Sequence, residues 1–263
     1  MPEHQPLDLA FSDIGAGRPV VILHGLFGSK RNWGAIAKPL SAHRRVLCLD
    51  MRNHGESPWA DEMTYPAMAA DVAHFIHRHG LGPVDLIGHS MGGKAAMTLA
   101  LRHPELLRTL TVVDIAPAPS PGTFIHYVAA LRKMDLSAVT SRKDADAQLA
   151  PAEANAGIRA FLLQNLESGT AGFRWRVNLT ALESAMEDLL DFPAPERGRF
   201  YNGPAMVVAG GRSDYVGPQH HADIHRLFPT ARIEVVPGAG HWLHAEAPEP
   251  FLAHLTGFLD GAG

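Results

Sequence analysis

Short apolar runs rich in β-branched residues alternate along this chain with longer segments of helical periodicity. This alternation is typical of βαβ units, and the buried strands of a parallel sheet are expected to be continuously apolar. Six runs fit that description, at residues 20–23, 46–49, 84–87, 110–113, 205–209 and 233–236. The pattern therefore predicts an α/β fold with a mostly parallel central sheet flanked by helices.

The strand rhythm breaks after the fourth run, and no convincing strand pattern occurs between residues 118 and 198. Three amphipathic stretches replace it, at residues 123–134, 152–166 and 179–189. We therefore expect a helical cap, residues 118–198, inserted into one core domain formed by residues 1–117 and 199–263.

Composition narrows the class of protein. Of 263 residues, 46% are hydrophobic and 19% charged, which is the balance of a globular chain with a sizeable core. The net charge of −4 and the lack of a basic stripe argue against a nucleic-acid partner. Cys48 is the single cysteine, so no internal disulfide is expected. No signal peptide and no run near the roughly 18 apolar residues of a membrane span is found, which predicts a cytoplasmic protein without a membrane partner.

The segment Gly88-His89-Ser90-Met91-Gly92 matches G-x-S-x-G, and it lies between an apolar run and the helical pattern of residues 93–102. A serine nucleophile in this motif occupies a sharp strand-to-helix turn. Gly88 and Gly92 leave room for that turn, and the following helix directs its N-terminal N–H groups at a developing oxyanion. The motif predicts that Ser90 is a nucleophile.

A serine hydroxyl needs a positioned base, which in proteins with this motif comes last in chain order. Among 16 histidines, His241 follows the last apolar run on the glycine-rich loop of residues 237–240. Such a loop can place an imidazole over the carboxyl ends of the strands. His241 is therefore the predicted base. The histidines at positions 220, 221 and 225 are interpreted as a solvated helix face, and neither a metal nor a cofactor is predicted.

The oxyanion donors are predicted to be main-chain groups. A His-Gly turn follows the first apolar run at residues 24–28. In this arrangement one N–H comes from that loop and one from the residue after the nucleophile. These are the amides of Leu26 and Met91.

The residue that orients His241 has two candidates. Asp214 lies on the loop after residues 205–209, where the acid is usually found. Asp114 ends the apolar run at residues 110–113, and a buried carboxylate there requires a hydrogen-bonding or charged partner such as a histidinium.

Beyond these motifs, the chain resembles the YbfF-like branch of the α/β-hydrolases, which are bacterial esterases with mitochondrial relatives. The resemblance extends from His24 to His244 and is carried by residues 50–57, 113–117, 175–179, 210–213 and 238–245. It implies that Ser213 takes the usual position of the acid, and that Asp114 orients His241. The chain departs from the branch in having Asp214 beside Ser213, so Asp214 remains the alternative.

Together these features predict a serine esterase that hydrolyses carboxylic esters of small to medium acyl groups through an acyl-enzyme. The resemblance extends this to acyl-CoA thioesters. In the cap, Trp175 and Arg176 are candidate substrate-binding residues at the entrance, although packing against the core explains Trp175 equally well. Alternatives are a C–C bond or amide hydrolase of the same fold, and a non-catalytic binding module. The expected partner is a small-molecule ester or thioester, and the expected oligomeric state is a monomer or a homodimer.

Overall fold

A computed structural model of the protein describes residues 4–122, 124–170 and 172–262. A seven-stranded sheet forms its centre, in the order β1-β3-β2-β4-β5-β8-β9. Its strands are β1 (Phe11–Ile14), β2 (Pro19–Leu23), β3 (Arg45–Leu49), β4 (Val84–His89), β5 (Leu107–Val113), β8 (Ala205–Gly210) and β9 (Arg232–Val236). Six strands run parallel, and β1 pairs antiparallel with β3 at one edge. The predicted fold class is confirmed.

Helices cover both faces of this sheet. The helices are α1 (Gly34–Leu40), α2 (Tyr65–Arg78), α3 (Met91–Arg102), α4 (Ile125–Lys133), α5 (Arg142–Leu149), α6 (Ala156–Leu163), α7 (Leu179–Ser184), α8 (Met186–Leu190), α9 (His221–Leu227), α10 (Leu243–Glu246) and α11 (Pro248–Gly261). Apolar side chains of α2 and α3 join one buried cluster, and those of α1 and α11 join a second. Within the described ranges, no helix is long and apolar enough to cross a membrane.

The structure contains strands that the sequence pattern did not indicate. Strand β1 was missed because it is short and its last two residues are exposed. A two-stranded hairpin, β6 (Leu166–Gly169) with β7 (Gly172–Trp175), lies inside the segment that we expected to be free of strands. That expectation was wrong, because the hairpin is made of short polar and glycine-containing strands without an apolar run.

The insertion between β5 and β8 carries α4 to α8 and the hairpin. Its first predicted helix began at Thr123, which lies outside the described residues. The insertion is fastened to the core by buried hydrogen bonds: Asn165 Nδ2 donates to the carbonyl of Phe27 at 2.8 Å, and the Tyr65 hydroxyl donates to the carbonyl of Leu189 at 2.7 Å. That residues 118–198 form a separate cap domain stays a prediction.

Candidate active site

Ser90 occupies the turn between β4 and α3 with φ 51° and ψ −117°. A positive φ is costly for a residue with a side chain, so the surroundings must impose it. The Ser90 amide donates to the carbonyl of Val113 at 3.0 Å, which ties the turn to β5. A Cβ on Gly92 would lie 2.6 Å from the carbonyl oxygen of Leu23, so glycine is required there for close packing. This close packing holds the Ser90 backbone in its strained conformation, and the Ser90 side chain projects from the turn.

The His241 imidazole reaches Ser90 from the loop after β9. Its Nε2 lies 3.1 Å from Ser90 Oγ, and its Nδ1 lies 2.7 Å from Oδ2 of Asp114. Because an ionised carboxylate only accepts hydrogen bonds, Nδ1 carries the proton and Nε2 can accept from the serine hydroxyl. The histidine side chain is 9% exposed and the aspartate side chain fully buried. The structure therefore joins the three side chains in one hydrogen-bonded chain.

The Asp114 carboxylate has further donors that compensate its burial. The amide of Gly210 donates to Oδ1 at 2.8 Å, and the Ser213 hydroxyl donates to Oδ2. Hydrogen bonds of this kind offset part of the cost of burying a carboxylate. The Asp114 carboxylate is thus the point where the end of β5, the loop after β8 and the loop after β9 meet.

Asp214, the other candidate for the acid, is not part of this arrangement. It is exposed, and no side-chain hydrogen bond or ion pair joins it to another described residue. Its neighbour Ser213 faces Asp114 instead. The geometry places Asp114, and not Asp214, against His241.

Aromatic rings position His241 from several sides. The ring of Tyr215 stacks on it with centroids 3.8 Å apart and an interplanar angle of 19°. The centroid of the Phe124 ring lies 6.2 Å from that of the His241 ring. His89 Nε2 donates to the His241 carbonyl at 2.8 Å. Sequence reasoning missed these contacts, although His89 was visible as a variable position of the serine motif.

The loop after β2 is braced by two neutral histidines. His24 Nδ1 donates to the carbonyl of Gly25 at 2.8 Å, and its Nε2 accepts from the amide of Met51 at 2.9 Å. His54 Nε2 accepts from the amide of Phe27, whose φ is 61°. Burial lowers the pKa of His24 and brings the pKa of His54 to about 3. Both rings therefore act as uncharged braces at neutral pH.

Leu26 and Met91, the predicted oxyanion donors, lie beside Ser90. In the described ranges no residue accepts a hydrogen bond from either main-chain N–H. Met91 is the first residue of α3, where the helix leaves its amides unpaired. Both amides are available to a ligand at Ser90.

A pocket opens next to the serine, with about 380 Å³ of free space that includes open solvent. We call it the Ser90 pocket, and its lining residues are Leu26, Tyr65, Ser90, Met91, Lys94, Ile115, Ser120, Pro121, Phe124, Met186, Leu189, Leu190 and Tyr215. Most of these side chains are apolar, and Lys94 is the one charged residue among them. The sequence analysis did not single out Lys94, although it directly follows the glycines of the serine motif.

Trp175 and Arg176 do not line the Ser90 pocket. Trp175 is partly buried against the hydrophobic core, and Arg176 lines a separate polar cleft, where its guanidinium donates to Glu56 at 2.9 Å. Their role in substrate binding stays a prediction. Among the residues described, no group of three or more His, Cys, Asp or Glu side chains could hold a metal ion.

A mostly parallel sheet with a serine on a strained strand-to-helix turn at its carboxyl edge defines the α/β-hydrolase class. The chain belongs to this family: residues 18–248 match the family described as alpha/beta hydrolase fold.

Three similar proteins narrow the relationship. The chain is 47% identical over 254 residues to the Xenopus laevis sn-1-specific diacylglycerol lipase ABHD11, covering 94% of this chain and 81% of the relative. It is 35% identical over 243 residues to esterase YbfF of Escherichia coli strain K12, covering 92% and 93%. The solved structure of a marine microorganism esterase matches with a TM-score of 0.92 and 38% identity, covering 96% and 99%. These matches confirm the YbfF-like resemblance and support hydrolysis of an ester bond.

Proposed function

We propose that this chain is a serine esterase that cleaves carboxylic esters through an acyl-enzyme formed on Ser90. The observation that carries the proposal is the continuous chain of hydrogen bonds from Ser90 Oγ through His241 to Asp114. A serine, an imidazole and a carboxylate in this order are the parts of nucleophilic acyl transfer.

In the first half-reaction, His241 Nε2 takes the hydroxyl proton as Ser90 Oγ attacks the ester carbonyl. The resulting oxyanion lies within reach of the free amides of Leu26 and Met91. The Asp114 carboxylate holds Nδ1–H in place and stabilises the imidazolium. His241 then passes the proton to the leaving alcohol, and the acyl group remains on the serine.

Water completes the cycle in the second half-reaction. His241 Nε2 removes a proton from water as the water oxygen attacks the acyl carbonyl, and the proton then returns to Ser90 Oγ. The ring of Tyr215 and the partly buried Phe124 limit other solvent around the imidazole. Neither step requires a metal or cofactor.

The mostly apolar Ser90 pocket favours small to medium acyl groups. The lipase and esterase names of the relatives agree with a carboxylic ester as substrate. A thioester of coenzyme A would react by the same two steps and is included in the proposal. Cytoplasmic location and a monomeric or homodimeric state stay predictions.

Hydrolysis of p-nitrophenyl esters and acyl-CoA thioesters of increasing acyl length tests this function. We expect turnover of the shorter esters, and we expect Ser90→Ala to lose roughly 10⁴-fold or more in kcat, as for other nucleophile deletions. Ser168→Ala, at an exposed serine of the β6–β7 hairpin, is the matched control. Ester turnover that survives Ser90→Ala would contradict the mechanism.

Adding amides and C–C bond substrates to this panel separates the two alternatives. A C–C bond or amide hydrolase would leave the ester series untouched while cleaving its own substrate class. A binding module would bind substrate analogues without turning over any member of the panel.

A further inference from the structure

Lys94 is a buried charge that the proposed mechanism does not use. It lies in the first turn of α3, and its amide donates to the Ser90 carbonyl at 3.0 Å. The residue is fully buried, and its Nζ donates to the carbonyls of Leu190 and Asp191, both at 2.8 Å. These carbonyls are at the C-terminal end of α8, where cations are favoured.

Lys94 and Ser90 line the same pocket. Leu190 and Tyr65 both line the pocket, and Lys94 Nζ lies 5.8 Å from the centroid of the Tyr65 ring. Lys94 itself is also a lining residue. Leu26 and Met91, the proposed oxyanion donors, line this pocket as well. An acyl group bonded to Ser90 and held in this pocket would therefore share it with the lysine.

The charge of Lys94 is incompletely compensated. An ammonium has three N–H donors, and two of them are used by main-chain carbonyls. No carboxylate in the described part of the chain forms an ion pair with Lys94, and the Asp191 side chain accepts from the amide of Phe192 instead. A buried cation without an ionic partner is costly, and an anionic ligand group would supply that partner.

We propose that Lys94 binds a carboxylate at the far end of the acyl group, so that the enzyme prefers monoesters of short dicarboxylic acids over neutral esters of the same shape. The inference rests on the proposed esterase function, and names its substrate class. The third N–H of the ammonium donates to the substrate carboxylate in a charge-assisted hydrogen bond.

The protonation of Lys94 makes the preference for anionic substrates depend on pH, which provides a second test. Burial lowers the pKa of this lysine to about 7, and the Asp191 carboxylate opposes the shift. Tyr65, which also faces the ammonium, stays neutral because burial raises its pKa. As pH rises through about 7 the ammonium loses its charge, so the preference for anionic substrates is expected to decline. The neutral ester, measured at each pH, corrects for changes in activity that both substrate types share.

The test compares kcat/KM for monoethyl esters of succinate, glutarate and adipate with ethyl esters in which an isopropyl group replaces the free carboxylate. Alkyl esters are used because aryl monoesters of these acids cleave themselves. We expect wild-type enzyme to prefer at least one anionic ester over its neutral counterpart at about pH 6.5 and to lose that preference near pH 8.5.

Two variants separate charge from structure. Lys94→Met removes both charge and hydrogen bonds, whereas Lys94→Gln keeps an N–H donor for the carbonyls of Leu190 and Asp191. We expect both variants to lower the anionic-to-neutral ratio roughly 10- to 100-fold, the range of a hydrogen bond to a charged group. Lys38→Met, at an exposed lysine of α1, controls for the change in net charge and should leave the ratio unaltered.

The outcomes are distinct. A wild-type preference for neutral esters throughout the series, or a ratio that both variants leave unchanged, overturns the role of Lys94 while the esterase function stands. A ratio lowered in Lys94→Met but not in Lys94→Gln assigns the residue to fastening α8 and also overturns it. If wild-type enzyme hydrolyses neither type of ester, the proposed function itself fails. Thermal melting of each variant checks folding, and the wild-type pH dependence decides the proposal should both variants fail to fold.

Discussion

The carboxylate of Asp114 lies 2.7 Å from Nδ1 of His241, and it is delivered by the end of β5. The loop after β8 instead supplies Ser213, whose hydroxyl donates to the same carboxylate. Two adjacent parallel strands thus share the task of holding one charge beside the imidazole. This relationship determines which carboxylate the proposed mechanism depends on.

Exchanging each aspartate for asparagine separates the two candidate acids. Asp114→Asn keeps the shape of the side chain but replaces the carboxylate with an amide, whose NH₂ can donate to His241 Nδ1 and impose the wrong tautomer. The kcat for ester hydrolysis should therefore fall on the order of 10⁴-fold. Asp214→Asn alters an exposed side chain, and its kcat should stay within about twofold of the wild-type value. Surface substitutions outside the active site and the core are nearly neutral. Steady-state kinetics on one ester measure both. The reverse order of effects would assign the role to Asp214.

Ser213→Ala should weaken the hydrogen bonding of the Asp114 carboxylate and lower activity without abolishing it. The variant removes one of the hydrogen bonds that Asp114 accepts, while the Gly210 amide continues to donate at 2.8 Å. A loss of roughly tenfold in kcat/KM is expected, the lower part of the range for a hydrogen bond to a charged group. Ser168→Ala is the matched control. A loss equal to that of Asp114→Asn would show that the Gly210 amide alone cannot hold the carboxylate.

Gly92→Ala tests the packing of the serine turn. The added Cβ would lie 2.6 Å from main-chain carbonyl oxygens of Leu23 and His24, so we expect a loss of about 1–3 kcal/mol in the free energy of unfolding, with reduced activity. Gly34→Ala, in α1, is the control because a Cβ there meets nothing within 4 Å, and alanine favours helix by up to about 1 kcal/mol. Urea unfolding measures both. Equal stability of the two variants would contradict the account of the turn.

Acid should destabilise the fold through its buried histidines. Burial lowers the pKa of His54 and of His244 from 6.5 to about 3. Below pH 6.5 the unfolded chain therefore binds protons that the folded chain does not, so stability falls as pH falls from 6.5 toward 3. Each histidine should cost about 2 kcal/mol between roughly pH 8 and pH 5.

His244→Phe isolates one of these contributions. The His244 ring stacks on Trp33 with centroids 4.4 Å apart, and phenylalanine can keep that contact without titrating. The variant should lose about 2 kcal/mol less stability than wild type between roughly pH 8 and pH 5, as measured by urea unfolding at each pH. His77→Phe, at an exposed position, should leave the pH dependence as it is. An unchanged pH dependence in His244→Phe would show that this imidazole is protonated in the folded protein.

The parallel sheet and the serine turn could be predicted because their signals are local. A run of buried apolar residues marks β4, and the glycines around Ser90 are required by the tight turn that follows it. His241 and Asp114 could be proposed from their positions after strands, because the carboxyl ends of parallel strands meet at one edge.

The remaining features depend on contacts between distant residues. Strand β1 and the β6–β7 hairpin are too short and too polar to give a pattern. The partners of Lys94 are carbonyls of Leu190 and Asp191, about a hundred positions later in the chain, and the motif that precedes Lys94 gives no sign of them. The stacking of Tyr215 on His241 likewise exists only once two loops have been brought together.

Reaction with a fluorophosphonate, followed by peptide mass spectrometry, tests the central claim most directly. The probe phosphonylates a serine only when a base activates it and oxyanion donors receive the charged oxygen. The account predicts one adduct, on Ser90 in the peptide that contains the G-x-S-x-G segment, and a large loss of labelling rate in a His241→Ala variant. Absence of labelling in the folded wild-type protein, or an adduct on a different serine, would contradict it.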